Sequence, residues 1–192
     1  GKTLLNLVDD ILDLSKLEAK QLTLTPTSVD LYELIDTTLS DLRSLADGKG
    51  LTLKHDLDLS NPTVINDEHR LRQVLMNLVS NAIKFTDLGY VRVGLTDHGP
   101  DHITLTVEDT GIGIAQNQLP HIFEAFRQVD QTIRRERPGT GLGLAIVHSL
   151  VTVMGGTTAV SSTLGQGSLF TVTLPRQIAA LPSADAFGIK GR

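Results

Sequence analysis

The feature that most constrains this chain is the stretch from Asp67 to Phe85, D-E-H-R-L-R-Q-V-L-M-N-L-V-S-N-A-I-K-F. Its apolar residues Leu71, Val74, Leu75, Leu78, Val79 and Ala82 recur at the spacing of one helical face. At roughly 100° per residue they form one stripe, and Asn77, Asn81 and Lys84 fall within about 60° of one another on a different stripe. The helix therefore buries one side while aiming two carboxamides and an ammonium the same way. Asn has only moderate helix propensity, so two on one stripe ask for a reason. A solvated polar face is one reading. A metal and phosphate site is the other, since an amide oxygen suits Mg²⁺ and an ammonium suits a phosphate.

Around this helix the chain alternates between the two periodicities. Residues 3–18 carry two adjacent apolar seams, Leu4, Leu7, Ile11 and Leu14 beside Leu5, Val8 and Leu12. That pattern suits a bundle helix, or a helix packed on its own domain. Leu22–Leu24 reads as a short extended piece, and Ser28 as the cap of a helix from about Val29 to Ala46 with Gly48 at its end. Leu51–Leu57 alternates as a strand, with Thr63–Ile65 as a short partner. Tyr90–Thr96 and His102–Glu108 flank D-H-G-P-D as an antiparallel hairpin. A short helical segment is expected near Leu119–Phe126, a helix over Gly141–Met154, and a last hairpin from Thr157–Ser162 and Ser168–Leu174. About five to seven strands with three main helices predict an α/β fold. The expected form is a two-layer α/β sandwich, a mixed sheet covered by three helices, with an N-terminal bundle helix.

Two glycine-rich segments decide what the carboxamide stripe is for. Asp109-Thr110-Gly111-Ile112-Gly113-Ile114 follows a strand, where an Asp can accept from a ligand amino group while bare backbone admits a flat ring. Pro138-Gly139-Thr140-Gly141-Leu142-Gly143-Leu144 opens a helix, which presents N–H groups and a favourable dipole to a phosphate. No Lys-Ser/Thr follows, so this is no Walker loop, and the βαβ setting of a dinucleotide fingerprint is missing. Between the segments, Arg134, Arg135 and Arg137 lie in a polar stretch that reads either as a solvated loop or as a lid bringing an Arg to a terminal phosphate.

Taken together, N-L-V-S-N-A-I-K-F-T, D-T-G-I-G-I, I-F-E-A-F and G-T-G-L-G-L-A-I resemble the catalytic ATP-binding domain of sensor histidine kinases of the GHKL superfamily. The final G-Q-G-S-L-F-T-V-T-L-P fits as well. The opening D-I-L-D-L-S-K-L-E is similar to the second helix of the family's dimerisation and phosphoacceptor domain. The resemblance implies three segments: the end of that helix over 1–20, the catalytic domain over 21–176, and a linker or tail over 177–192. It implies ATP and Mg²⁺ as cofactors. Asn81 would be the Mg²⁺ ligand with Asn77 assisting, Lys84 would contact phosphate, and Phe85 would lie against the adenine where the family often has Tyr. Asp109 would accept from the adenine amino group, Gly111 and Gly113 would give the base room, and Ile114 belongs to the same nucleotide-binding set. Gly139, Thr140, Gly141, Leu142, Gly143 and Leu144 would line the triphosphate. Arg135 best matches the lid arginine, with Arg134 and Arg137 as neighbours in register, so the implied catalytic set is Asn77, Lys84 and Arg135. Phe123 and Phe126 would anchor the start of the lid, and Pro138 stands where the family often has Gly.

The function implied is transfer of the ATP γ-phosphoryl group to a histidine, then to an aspartate of a response regulator receiver domain. The superfamily's hydrolytic clamps place a Glu one helical turn before the metal Asn. Here Asn77 stands there, and a carboxamide cannot take a proton from water at neutral pH. A third reading, from a different class, is a non-catalytic module that binds nucleotide and dimerises. The family's phosphoacceptor is a His on the bundle's first helix, followed by an acidic residue and a nearby Arg or Lys and Pro, and none of His55, His69, His98, His102, His121 and His148 has that context. The acceptor helix of the parent kinase is therefore expected outside these 192 residues, acting in cis or trans, in a homodimeric full-length protein.

Composition narrows the field further. The absence of cysteine excludes disulfides, thiolate zinc sites and cysteine catalysis. A formal charge of −5 with 4% aromatic residues speaks against a nucleic-acid surface. No apolar run approaches the ~18–20 residues of a bilayer span, so no membrane contact is expected of this segment. The opening in mid-helix without an initiator Met is expected of a piece of a longer protein. That piece would be a cytoplasmic domain, whatever anchors its parent.

Overall fold

The computed structural model describes residues 2–19, 21–125 and 141–178. Among these, the elements are α1 (Lys2–Glu18), β1 (Thr27–Asp30), α2 (Leu31–Asp47), β2 (Thr52–Asp58), β3 (Thr63–Asn66) and α3 (Glu68–Phe85). After them come β4 (Tyr90–Asp97), β5 (His102–Asp109), a 3-10 turn at Leu119–His121, α4 (Gly143–Val153), β6 (Thr157–Thr163) and β7 (Gly167–Pro175). The strands form a five-stranded sheet in the order β2-β4-β5-β7-β6 and a separate pair, β1-β3. β2 runs parallel to β4 and the other neighbours are antiparallel, so the large sheet is mixed as expected.

The alternation of the strands sets the layers. Val91, Val93 and Leu95 of β4, Ile103, Leu105 and Val107 of β5, and Phe170, Val172 and Leu174 of β7 are all buried on one face. Against them pack Leu34, Ile35 and Leu39 of α2, the apolar stripe of α3, and Ile146, Val147, Leu150 and Val151 of α4. The opposite face is polar. There Arg92 pairs with Glu108 and Asp56, and the Lys54 ammonium sits 4.4 Å from the Tyr90 ring centroid. A sheet with one dry and one wet face is what strict alternation encodes.

Two local readings of the sequence are corrected. Thr63–Ile65 does not pair with β2; as β3 it pairs antiparallel with β1, Ser28 opposite Ile65. Ser28 is thereby committed to a strand, and the cap of α2 is Asp30, whose Oδ1 accepts from the N–H groups of Tyr32 (2.9 Å) and Glu33 (3.2 Å). A carboxylate is the stronger acceptor, and it also favours the positive end of the helix dipole. Leu22 and Leu24 lie outside any strand and pack part-buried against the core.

α1 combines the two behaviours that its seams allow. Leu14 and Leu17 join the core, and Asp13 binds Arg70 (2.8 Å) and Gln73 (2.9 Å) of α3. Val8, Ile11 and Leu12 are exposed. At the other end the chain does not leave the domain at Arg176. The Arg176 guanidinium pairs with Asp97, Ile178 is buried, and the Ile178 N–H donates to Ile65 O at 3.0 Å, which ties this segment to β3.

Candidate functional site

α3 starts at an Asp67 cap whose Oδ1 accepts from the Arg70 N–H (3.1 Å) and whose Oδ2 accepts from the Thr25 N–H (2.9 Å). Leu71, Val74, Leu75, Leu78, Val79, Ala82 and also Ile83 are buried, so the stripe read from the sequence is the core face. The half-buried Asn77 and Asn81 face the first turn of α4. A methyl group placed on Gly143 would sit 3.5 Å from Asn77 Oδ1 and 3.7 Å from Asn81 Nδ2. Among the described residues the buried Asn77 Nδ2 has no hydrogen-bond partner. A buried amide donor left unpaired costs about 1–3 kcal/mol, which a stable fold tolerates where a ligand completes the set.

The start of α4 is a glycine turn. Gly141 has φ +71°, a conformation that only glycine adopts cheaply. The helix therefore begins at Gly143 rather than at Gly141 as expected. Leu142 at the N-cap offers no side-chain acceptor to the first turn, and the first turn holds no acidic residue. Leu142 itself is fully buried, so it anchors the turn through its side chain and can meet a ligand only through its main chain.

The opposite wall is the loop after β5. Asp109 ends that strand, buried, with Oδ1 accepting from the Gly111 N–H at 2.8 Å. Burial pushes its carboxyl above the usual carboxylate range, against the lowering effect of the Gly111 and Ser168 N–H groups. A Cβ on Gly111 would come within 2.4 Å of Phe85 O, and one on Gly113 (φ +69°) within 2.1 Å of Thr163 O. The space beside both glycines is thus taken by the protein's own backbone. The room for a flat ring that the sequence suggested is not what these α-carbons face.

Ile114 is half-buried, and its N–H donates to Ser162 Oγ at 2.8 Å. Ser162 in turn donates to Gly167 O and shares a hydrogen bond with Ser168 Oγ. Gly167 (φ +109°) would place a Cβ 2.0 Å from Asp109 O. Ser162, Ser168 and Gly167 support this wall and were not singled out from the sequence. Two buried serines in otherwise Thr- and Val-rich strands were the available signal.

Lys84 and Phe85 end α3 between these walls, the Lys84 ammonium 4.9 Å from the Phe85 ring centroid. Phe123 is half-buried and stacks on His148 of α4 with ring centroids 5.2 Å apart. Leu144 is half-buried in the first turn of α4. Phe126, Arg134, Arg135, Arg137, Pro138, Gly139 and Thr140 lie outside the described residues. No group of three or more His, Asp or Glu able to hold a metal occurs among the described residues. A cation here would be held by carboxamide oxygens, and Asn77 and Asn81 fit that need because an amide turns over to present oxygen in place of nitrogen.

A family model described as "Histidine kinase-, DNA gyrase B-, and HSP90-like ATPase" matches residues 66–178, from the end of β3 to the buried Ile178. The chain belongs to this ATPase family. Within it, the likeness is to sensor kinases. The circadian input-output histidine kinase CikA of Synechococcus elongatus is 43% identical over 180 residues, covering 92% of this chain and 24% of the relative. The sensor histidine kinase RcsC of Escherichia coli K12 is 38% identical over 189 residues, 98% of this chain and 20% of the relative. Among solved structures, full-length ShkA in complex with AMPPNP matches with a TM-score of 0.82 and 37% identity, covering 93% of this chain and 37% of that one. The chain thus spans about a quarter or less of the length of these two curated relatives. It is a catalytic ATP-binding domain of the histidine-kinase type. No helix among the described residues is long and apolar enough to cross a membrane.

Proposed function

We propose that this domain binds MgATP between α3, the Asp109–Ile114 loop and the start of α4, and passes the γ-phosphoryl group to a histidine outside residues 1–192. The observation that carries this reading is the Asn77–Asn81 pair set across from Gly143, with the Asn77 amide nitrogen buried and without a partner among the described residues. Asn81, assisted by Asn77, would hold Mg²⁺, which when bound neutralises phosphate charge and fixes the triphosphate geometry. Lys84 contacts phosphate, the N–H groups opening α4 take further phosphate oxygens, and Asp109 accepts from the adenine amino group. Arg135 is the proposed lid cation. In the transfer, an acceptor imidazole nitrogen forms the P–N bond as the bond to the β,γ-bridging oxygen breaks, and ADP leaves with that electron pair. Asn77 in place of a carboxylate disfavours water as the acceptor.

α1 is proposed as the end of the dimerisation helix, its exposed Val8, Ile11 and Leu12 facing a hairpin partner in a homodimeric parent. A receiver domain then takes the phosphoryl group onward, and use of ATP places the domain in the cytoplasm. The test is titration with a fluorescent ATP analogue. Asn81→Ala should weaken binding at least tenfold with Mg²⁺ present and barely without it. Equal affinity with Mg²⁺ would overturn the metal assignment. With radiolabelled ATP the chain alone should stay unlabelled, and a phosphoacceptor hairpin added in trans should gain an acid-labile phosphohistidine. Label on one of this chain's own histidines would overturn the external acceptor.

A further inference from the structure

α3 ends unlike the other helices that cover the sheet. α2 closes through Gly48, whose N–H returns to Ser44 O, with Gly50 taking the left-handed position (φ +66°). α4 closes through Gly155 (φ +77°) and the Gly156 N–H, which donates to Val151 O. Both are backbone caps that consume the last carbonyls. At the end of α3 the cap is Thr86, in extended conformation (φ −105°, ψ 129°), so the chain leaves the helix without turning back. The last four carbonyls of a helix have no partner within it and need donors from elsewhere.

Each of those four has one. Thr86 Oγ1 donates to Ala82 O (2.7 Å), and the Ile112 N–H donates to Phe85 O (3.1 Å). The remaining two, Ile83 O and Lys84 O, are both served by Lys49 Nζ, at 2.8 and 3.1 Å. The third proton of the same ammonium goes to Thr86 O. A side chain from the turn after α2 therefore wraps the end of α3 with a full positive charge, at the negative pole of that helix. Lys49 is itself held there, its N–H donating to Ala46 O at 3.0 Å inside the turn that closes α2. Asp87 adds an ion pair at 3.6 Å, but its side chain is 65% exposed, so the carbonyls dominate.

We propose that Lys49 is a positioning residue for nucleotide binding. It replaces the missing glycine cap of α3 and so holds Lys84 and Phe85 in place beside the Asp109–Gly113 loop. The extended exit lets Phe85 O reach the Ile112 N–H, and only a long side chain donor then satisfies the carbonyls of residues 83 and 84. Without Lys49 the last turn of α3 frays, and the two side chains it carries lose their fixed approach to the ligand. The proposal rests on the nucleotide reading above.

The test compares the parent, Lys49→Met and Lys49→Arg by titration with a fluorescent ATP analogue, well below each protein's unfolding temperature. Lys49→Met should bind roughly tenfold more weakly, because the carbonyls of Ile83, Lys84 and Thr86 lose charged hydrogen bonds next to the site. The loss should appear with and without Mg²⁺, unlike that of Asn81→Ala. Lys49→Arg, which keeps N–H donors at similar reach, should stay within about threefold of the parent. If Lys49→Met does not fold, Lys49→Gln takes its place; its shorter amide should give an intermediate loss. A variant with a lowered unfolding temperature but parental affinity would reduce Lys49 to a structural cap and overturn the proposal. So would a Lys49→Arg as weak as Lys49→Met. If the parent binds no nucleotide, the functional reading falls and this proposal falls with it.

Discussion

The two ends of the proposed cleft are built on opposite principles. At the base end, around Asp109, protein groups are satisfied by protein groups: Asp109 by Gly111, Phe85 O by Ile112, Ile114 by Ser162, and Gly165 N–H by Ile112 O. At the phosphate end, the Asn77 amide is buried without a partner among the described residues, and Leu142 brings no side-chain acceptor to the start of α4. One end is overdetermined before any ligand arrives. At the other, one buried amide donor has no partner among the described residues. A rigid wall suits recognition of a flat base, whereas donors left uncommitted suit a charged group that arrives and leaves.

The sharpest way to break this contrast is Gly113→Ala. Its Cβ would meet the Thr163 carbonyl at 2.1 Å in a left-handed conformation, so about 3 kcal/mol of stability should be lost. Urea unfolding measures this, and parental stability would show that the base end is not rigid. Next in size is base selection. GTP sets its carbonyl against the Asp109 acceptor and should bind weaker than ATP by about 1–3 kcal/mol. Competition against a labelled adenine nucleotide reads it directly, and equal competition would end the assignment of Asp109.

A smaller effect comes from outside both ends. Burial pushes the Asp13 carboxyl up, but hydrogen bonds from Gln73 and Arg70 and the Arg70 charge outweigh it, leaving it below the ordinary value. Its folded form thus binds protons less readily than its unfolded form. The stabilisation is complete above about pH 4 and is lost as pH falls through the folded value. Asp109 has the opposite sign. Its raised carboxyl penalises the fold above the folded value, and acidification relieves that penalty. Asp13→Ala should cost about 1 kcal/mol at neutral pH and remove its share of the acid sensitivity, without altering ATP affinity. Denaturant titrations at several pH values test this. The smallest effect belongs to the phosphate end. Gly143→Ala meets its neighbours at 3.5 Å or more, so stability should change by less than about 0.5 kcal/mol. A large loss there would erase the difference between the two ends.

Local periodicity was enough to place α3 with its buried stripe, the β4–β5 and β6–β7 hairpins, and α4 to within about two residues, because those signals repeat within windows of about 11–18 residues. Motif order was enough to group the carboxamide stripe, the Asp-Gly-Gly loop and the glycine turn as the site proposed above, since each needs only neighbours in sequence. What sequence could not determine was decided by contacts between distant segments. β3 pairs with β1 across two intervening elements, and that pairing draws Ser28 into a strand and leaves Asp30 to cap α2. Gly111, Gly113 and Gly167 are required by carbonyls of Phe85, Thr163 and Asp109, which no local pattern announces. Lys49 was invisible for the same reason. It lies 34 to 37 residues from the carbonyls it caps, and a lone Lys after a helix reads as solvated surface. Hydrogen-bond satisfaction is settled over the whole fold, and only there does the end of α3 reveal the donor that it lacks.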